Sequence, residues 1–587
     1  SPDLYATDVL ASVLGGSESS ILVRRLRDET GLVLGIQCSD PTPTYVEGQL
    51  EITALCDPEK ILAAQGGLFA ALDDVVKNGV PPDAVERAKA QSAADLVYGN
   101  QTAEQQAIRN ASDFMAAGNI DFTPMYVKRI QAVTPEQVRA AAKKFLNREK
   151  LLTTVLLPTG ARNPFDQSAA QGVAVQAEPV KKTVLKNGVT LLISRNPTAP
   201  LAAVNMYVMG GLLAEDDATN GTGAMMMELM TRETESRTHE QIADFLDATG
   251  TTLGSESGSN SFHLSLQCMK EKTPAAFALF ADVALHPKFS DDELKQVRQP
   301  LVAAVDSATE DWFGEAYLAI KQKFYADSPY RRLPQGDGKV INALTPAQIK
   351  AHYQNYFLDP QKMVIAISGD IDPDAAAKWA GAFESIPQKT PALHMTSRSA
   401  APAATRVPTK KDSATIMVAY PGMTVTNPDR YALTVLQTYL GGYTSQFGSV
   451  LFDTLRGRGL VYTVQASNIT GPAGGMFLIS AQGEPQNADA ITKAIAEIVA
   501  QTKAGDIPDV KFNAARDQAI TGEKLSKLTI AEKSSDQALN ELIGLGYDED
   551  ARFPERVRAV TKEQVIAAAR NYLTAPVIVV MTPEQKK

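Results

Sequence analysis

The sequence predicts an α+β protein built from repeated half-domains, each an antiparallel sheet packed by helices on one face. Three observations point to it. A Thr-x-x-Gln signature with Val or Leu before it and Val or Ile after it occurs three times, at Thr134, Thr345 and Thr561, each followed by a helical run and then an apolar β run. The stretch Pro2-Asp3-Leu4-Tyr5-Ala6 through Leu14-Gly15-Gly16 reappears as Pro428-Asp429-Arg430-Tyr431-Ala432 through Leu440-Gly441-Gly442. Pro82-Asp83 returns at the same offset as Pro508-Asp509, so the two ends of the chain repeat one another.

Composition bounds the answer before any motif does. At 587 residues the chain exceeds what one hydrophobic core serves, so several domains are expected. A hydrophobic fraction of 44% with 21% charged residues is that of a globular protein, and no apolar stretch is long enough to span a membrane. Net charge is −10 with no Lys/Arg-rich tract, which argues against nucleic acid as a partner. The cysteines Cys38, Cys56 and Cys268 form no metal-type spacing and read as buried or idle thiols. Ser1-Pro2-Asp3-Leu4 opens directly into a helical run, without the basic segment and apolar core of a signal peptide.

Each signature has a mechanism. In Val133-Thr134-Pro135-Glu136-Gln137-Val138, Leu344-Thr345-Pro346-Ala347-Gln348-Ile349 and Val560-Thr561-Lys562-Glu563-Gln564-Val565, the Thr hydroxyl and Gln amide satisfy free backbone donors where a helix starts. Apolar residues come next, seven apart, at Val138/Phe145, Ile349/Tyr356 and Val565/Tyr572, which places each pair on one buried face. The β runs Leu151 to Leu157, Met363 to Ile367 and Val577 to Met581 close the units.

These landmarks set the predicted boundaries. Residues 1–160 form a half-domain incomplete at its start, and 161–182, rich in Gly, Ala, Pro and Gln, is a linker. Residues 183–387 form the second half-domain, which opens with two β runs across Asn187-Gly188, a pair suited to a type I′ turn. A Pro/Ala/Thr/Ser linker, 388–411, leads to the third, 412–587, with its strand Ala414 to Tyr420. The first unit shows no counterpart of that strand, and its sheet is expected to need one from sequence outside this chain.

Repeated half-domains of this size resemble the pitrilysin/insulinase family of zinc metallopeptidases, the fold also of mitochondrial processing peptidase and the cytochrome bc1 core proteins. The resemblance covers essentially the whole chain. It implies four half-domains in two bowls around a chamber, the first carrying His-x-x-Glu-His on a helix as two zinc ligands and a base, with a further Glu downstream. In the second half-domain, Val208-Met209-Gly210-Gly211 to Glu215 and Gly221-Thr222-Gly223-Ala224-Met225-Met226-Met227-Glu228 resemble the motif-bearing segment. Ala224 stands in place of the first His, Met227 in place of Glu and Glu228 in place of the second His, and Leu301 to Val305 is apolar where the downstream Glu is expected. The Met run reads as core, and this unit as a degenerate copy without the zinc motif. The five histidines, His239, His263, His286, His352 and His394, are scattered and form no ligand pair.

Leu455-Arg456-Gly457-Arg458-Gly459-Leu460-Val461-Tyr462 resembles the segment by which the last half-domain reaches the reaction site with an Arg and a Tyr. The resemblance implies transition-state and substrate contacts from Tyr462 and Arg456, with Arg458 as the other candidate for the arginine. The same frame recurs as Leu26-Arg27-Asp28-Glu29-Thr30-Gly31-Leu32-Val33-Leu34, with Leu34 in place of the Tyr. By this resemblance the chain is expected to be inactive alone, forming chamber wall and substrate grip in a zinc endopeptidase or oligopeptidase. Zinc would be bound by an absent His-x-x-Glu-His segment or subunit. The alternative is a structural or peptide-binding subunit with no peptidase role. Peptides are the implied substrates, a homo-oligomer is compatible, and a bacterial periplasmic address is implied by the resemblance and the low cysteine count.

Overall fold

The computed structural model describes residues 3–17, 20–41, 48–98, 103–157, 178–389, 392–443 and 448–584. They fall into two compact units, residues 1–174 and 175–587.

The first unit is mainly helical: α1 (Leu4–Gly15), α2 (Ile61–Asn78), α3 (Pro82–Tyr98), α4 (Ala103–Ala117), α5 (Phe122–Gln131) and α6 (Pro135–Phe145). Its strands β1 (Gly35–Ser39) and β2 (Glu51–Leu55) pair antiparallel, Gly35 opposite Leu55 and Ser39 opposite Glu51. Helix α1 is the central element, with Val9, Leu10, Val13 and Leu14 packed among Leu22, Leu26, Val75, Val85, Ile130 and Val138. Its last residue must be glycine, because a Cβ on Gly15 would lie 2.4 Å from the backbone nitrogen of Cys38 in β1. The capping box at Thr134 forms as expected, the Thr hydroxyl accepting from Gln137 N and the Gln137 side chain accepting from Thr134 N. Two expectations fail here. Phe145 is largely exposed although Val138 is buried, and residues 151–157 form no strand, leaving Leu151, Leu152 and Leu156 in solvent.

The second unit holds two half-domains. The first has strands β3 (Lys181–Val184), β4 (Thr190–Arg195), β5 (Leu201–Met209), β6 (Thr252–Ser257), β7 (Ser261–Met269), β8 (Tyr325–Asp327) and β9 (Met363–Gly369). Its helices are α7 (Thr222–Met230), α8 (His239–Thr249), α9 (Thr273–Leu285), α10 (Asp291–Ser307), α11 (Trp312–Phe324), α12 (Gly338–Ala343), α13 (Pro346–His352) and α14 (Pro373–Ala380). The second has β10 (Arg398–Ser399), β11 (Ala403–Thr409), β12 (Ala414–Pro421), β13 (Val461–Gly471), β14 (Gly474–Gly483) and β15 (Val577–Pro583). Its helices are α15 (Arg430–Gly441), α16 (Val450–Gly457), α17 (Ala488–Ala504), α18 (Asp509–Leu525), α19 (Ile530–Leu542), α20 (Glu549–Arg558) and α21 (Lys562–Tyr572).

The sheets run β3-β4-β9-β5-β7-β6 and β11-β15-β12-β14-β13. All pairs are antiparallel except β4 with β9 and β11 with β15. In each case the closing strand returns after a long connection through helices, as parallel pairing requires. Strand β11 lies in the stretch expected to be a linker, held because Ala403 to Thr409 pair along β15; β3 likewise begins within the first predicted linker. Asn187-Gly188 does lie in a hairpin, but the turn spans Leu185 to Gly188, with Gly188 N donating to Leu185 O at 2.9 Å. Only Gly188 takes positive φ, so the turn is not type I′, which needs positive φ at both central residues. The Asn187 amide is instead buried, donating to Phe383 O at 2.8 Å.

One face of each sheet is covered by the half-domain's own helices, as expected: Val204, Met206, Ile365 and Ile367 pack there in the first, Ile416, Val418, Ile479 and Val580 in the second. The opposite faces are covered too, by an exchange. Helix α19 lays Ala538, Leu539 and Leu542 on Leu192, Tyr207, Val364 and Ala366 of the other half-domain. Helix α11 lays Ala316, Ile320 and Phe324 on Met417, Ala419, Val577 and Val579. Burial on both faces explains why β9 and β12 are continuous apolar runs without alternation.

Candidate functional site

The segment before α7 is shaped by glycine and one buried carboxylate. Glu215 accepts from Gly223 N at 2.7 Å, Asn220 Nδ2 at 3.0 Å and Gly221 N at 3.2 Å, and so caps the helix that Gly221, at φ +106°, allows to begin. Burial holds the Glu215 carboxyl above its ordinary range, against the pull of these donors and of Arg332. Along α7, Met225, Met226, Met227, Leu229 and Met230 are fully buried in the core. Ala224 is half-buried and Glu228 exposed. The three motif positions thus offer one methyl, one core thioether and one solvated carboxylate. Leu301, Val302 and Val305 of α10 pack against the same core. This donor set does not fit a zinc ion. Among the described residues no group of three or more His, Cys, Asp or Glu could hold a metal.

The Arg/Tyr segment runs from α16 into β13. Ser449 caps α16, and Gly459, at φ +67°, ends it, with Gly459 N donating to Arg456 O and Leu460 N to Leu455 O. Arg456 Nη1 donates to Val461 O at 2.9 Å, tying the helix end to the first residue of the strand. Arg458 is exposed and faces Glu497 of α17 at 3.7 Å. Tyr462 sits at a bulge: Val461 pairs with Gly483 and Thr463 with Gln482, so Tyr462 falls between two positions that are adjacent on the facing strand. β13 is an edge strand, where a bulge redirects a side chain. Arg456 is thus tied to the residue before Tyr462, while Arg458 faces α17.

The first unit builds the same corner differently. Residues Val23–Glu29 form a wide π-turn, Gly31 takes φ +59°, and Leu32 N donates to Leu26 O. Arg27 Nε lies 2.8 Å from Asp28, and Leu34 N donates to Leu55 O, entering the β1–β2 pair directly.

Comparison with known proteins gives the family and the fold. The family model described as Peptidase M16 inactive domain matches residues 1–92 and 343–519, and that of Insulinase (Peptidase family M16) matches residues 190–330. The chain belongs to the M16 peptidase family. An uncharacterized zinc protease of Mycobacterium leprae is 26% identical over 430 residues, 69% of this chain and 92% of the relative. The uncharacterized zinc protease YmxG of Bacillus subtilis is 21% identical over 405 residues, 67% of this chain and 96% of the relative. The peptidase M16 inactive domain from Pseudomonas fluorescens has the same fold, with a TM-score of 0.64 at 22% identity over 69% of this chain and 98% of that one.

The M16 insulinase match, 190–330, takes in α7, so the half-domain that aligns with the family's insulinase model is the one whose motif positions carry Ala224, Met227 and Glu228. Two of the histidines of this M16 chain, His263 and His352, serve packing. His263 stacks on Tyr207 with ring centroids 4.0 Å apart, and its Nε2 lies 3.0 Å from Asn205 Oδ1. His352 is buried against Phe262 and Tyr356. Burial lowers both pKa values to about 4. His239 starts α8 beside its cap Thr238. Cys38, Cys56 and Cys268 are free, and burial pushes the Cys38 thiol up to about 12. No pattern in the sequence marks the polar seam between half-domains, where Asn205 Nδ2 donates to Ser534 Oγ at 2.6 Å and Tyr207 meets Ser535 at 2.7 Å. Such pairs join positions over three hundred residues apart and carry no local signature.

Proposed function

We propose that this chain is the non-catalytic part of a zinc endopeptidase or oligopeptidase, forming chamber wall and substrate grip while zinc is held by a His-x-x-Glu-His unit elsewhere in the same polypeptide or in another subunit. The observation that carries the reading is the α7 donor set, a methyl, a core thioether and a lone exposed carboxylate where an M16 zinc site would need two imidazoles and a base. The names of the relatives, zinc proteases, support a peptidase context.

The chain's contribution is the corner at α16 and β13. As a peptide bond is attacked its carbonyl oxygen gains negative charge, and a phenol donor aimed there favours the transition state over the ground state. Tyr462 is the proposed donor, because the bulge turns it off the regular ladder of an edge strand. Arg456, held to Val461 O, orients the substrate backbone beside it. In the complete enzyme Tyr462→Phe should lower kcat by about 10² to 10³, typical of losing one such donor, with KM and zinc content little changed. Leu34→Phe, at the matching corner of the first unit, should leave kcat as it was. Wild-type kcat in Tyr462→Phe would reduce the tyrosine to a packing residue. One tightly held zinc per 587-residue chain, found by metal analysis, would refute the division of labour itself.

A further inference from the structure

The two ends of the chain build the same corner twice and finish it differently. In the last half-domain the start of α15, the end of α20 and one side of α21 enclose an open pocket of about 270 Å³. Asp429 and Tyr431 line it from α15, Arg556 from α20, and Gln564, Ala568 and Asn571 from α21. Every lining residue except Asn571 has an identical counterpart in the first unit. Asp3, Tyr5, Arg129, Gln137 and Ala141 answer to Asp429, Tyr431, Arg556, Gln564 and Ala568, while Lys144 stands where Asn571 is.

In the first unit the corner is satisfied from within. Lys144 reaches from α6 to Asp3, its Nζ 2.6 Å from Asp3 Oδ2 and 5.2 Å from the centre of the Phe145 ring. Arg129 Nη1 donates to Tyr5 OH at 2.7 Å. In the last half-domain both partners are gone. Asn571 replaces the lysine, and Tyr431 is drawn aside, donating to Oε1 of Glu549 at 3.0 Å, a residue whose place in the first unit is taken by Phe122. Among the described residues Arg556 is left with no hydrogen bond or ion pair. Asp429 Oδ2 accepts from Tyr572 OH at 2.8 Å, and a carboxylate has room for a further donor. The Tyr572 ring occupies the position of Phe145.

The groups that the first unit supplies to its own corner indicate what the open one would take. An ammonium gains both from a carboxylate and from an aromatic ring beside it. A lone guanidinium presents a fork that matches a carboxylate. The rest of the lining is small and largely apolar, suited to an alkyl stem. A simple anion would meet the Asp429 carboxylate, and a simple amine would leave Arg556 unpaired, so one compound carrying both charges fits better than either.

We propose that this pocket binds an ω-amino carboxylate of the lysine type, its ammonium on Asp429 and against the Tyr572 ring and its carboxylate on Arg556. Free lysine and the last residue of a peptide ending in lysine present this same chemistry. The site uses none of the residues of the α16–β13 corner and does not rest on the function proposed above.

Titration of the 587-residue chain with 6-aminohexanoate, read by saturation-transfer NMR, tests it. Saturable binding with a Kd of about 1 mM or tighter is expected. Hexylamine and hexanoate, each lacking one of the two charges, should bind at least about 10-fold more weakly. L-Lysine and the tripeptide Gly-Gly-Lys separate the sources. Binding of lysine without the tripeptide supports a free amino acid, and binding of the tripeptide that is lost on amidating its carboxyl supports a peptide end. Asn571→Lys gives the pocket the residue of its counterpart and should abolish binding by seating its own ammonium on Asp429. Arg556→Gln should bring 6-aminohexanoate down to the level of hexylamine. Both positions are exposed, so both variants should keep the thermal transition. Wild-type affinity in Asn571→Lys places the ligand elsewhere and overturns the proposal, as does hexylamine binding as tightly as 6-aminohexanoate. A titration that does not saturate by about 10 mM overturns it too and makes the pocket a solvated groove.

Discussion

Acid should loosen the second unit through two histidines that its fold keeps neutral. His263 lies between the Tyr207 ring and the Asn205 amide, and His352 against Phe262 and Tyr356 with its Nε2 buried and without a hydrogen-bond partner. For both, burial alone carries the pKa from 6.5 down to about 4. The unfolded chain then binds protons between pH 6.5 and 4 that the native chain refuses, so stability is complete above 6.5 and falls as the pH drops toward 4. At about 1.4 kcal/mol per pKa unit, the gap corresponds to about 3 kcal/mol for each histidine. Carboxyls raised by burial, Asp359 and Asp536 among them, work in the opposite sense, so the histidine effect must be read as a difference. The assay is urea unfolding at pH 7, 6, 5 and 4, monitored by fluorescence, since both tryptophans, Trp312 and Trp379, lie in this unit. Wild type should lose up to about 6 kcal/mol more over that range than the double variant His263→Gln, His352→Met. Parallel pH curves for the two proteins would refute the assignment of neutral buried imidazoles.

Phe324, fully buried where α11 meets the other half-domain's sheet, should cost about 3 to 5 kcal/mol as Phe324→Ala, and a single unfolding transition should persist because the residue belongs to both half-domains. Gly441→Ala puts a Cβ 2.1 Å from Ala466 N in β13 and should prevent native packing of α15, read as lost near-UV circular dichroism. Gly457→Ala, with nothing within 4 Å, should change the urea midpoint little or raise it, alanine being the better helix former; equal damage from both would undo the close-approach argument.

Much of the fold was legible in the residues because it is local. A capping box needs only four consecutive positions, and those at Thr134, Thr345 and Thr561 all form. The burial of the Met run could be read because helical spacing of apolar residues points to one side. What escaped was decided at long range. Leu151 to Leu157 has the composition of a strand yet pairs with nothing, because a strand exists only through its neighbours. Residues 403–409 look like a linker and become β11, because β15 offers an edge. At the candidate site the order of residues suggests Arg456, Arg458 and Tyr462, but not the bulge at Tyr462 nor the pairing of Arg458 with Glu497, which depend on register and on α17.

The exchange of α11 and α19 separates two units that are easily taken for one. The element copied along the sequence is about two hundred residues long, but it leaves a sheet with one apolar face uncovered, so it is not what folds. A gene duplicating a single copy would encode a sticky product, whereas one duplicating a pair would encode a soluble one. Lineages of such proteins should therefore grow in twos.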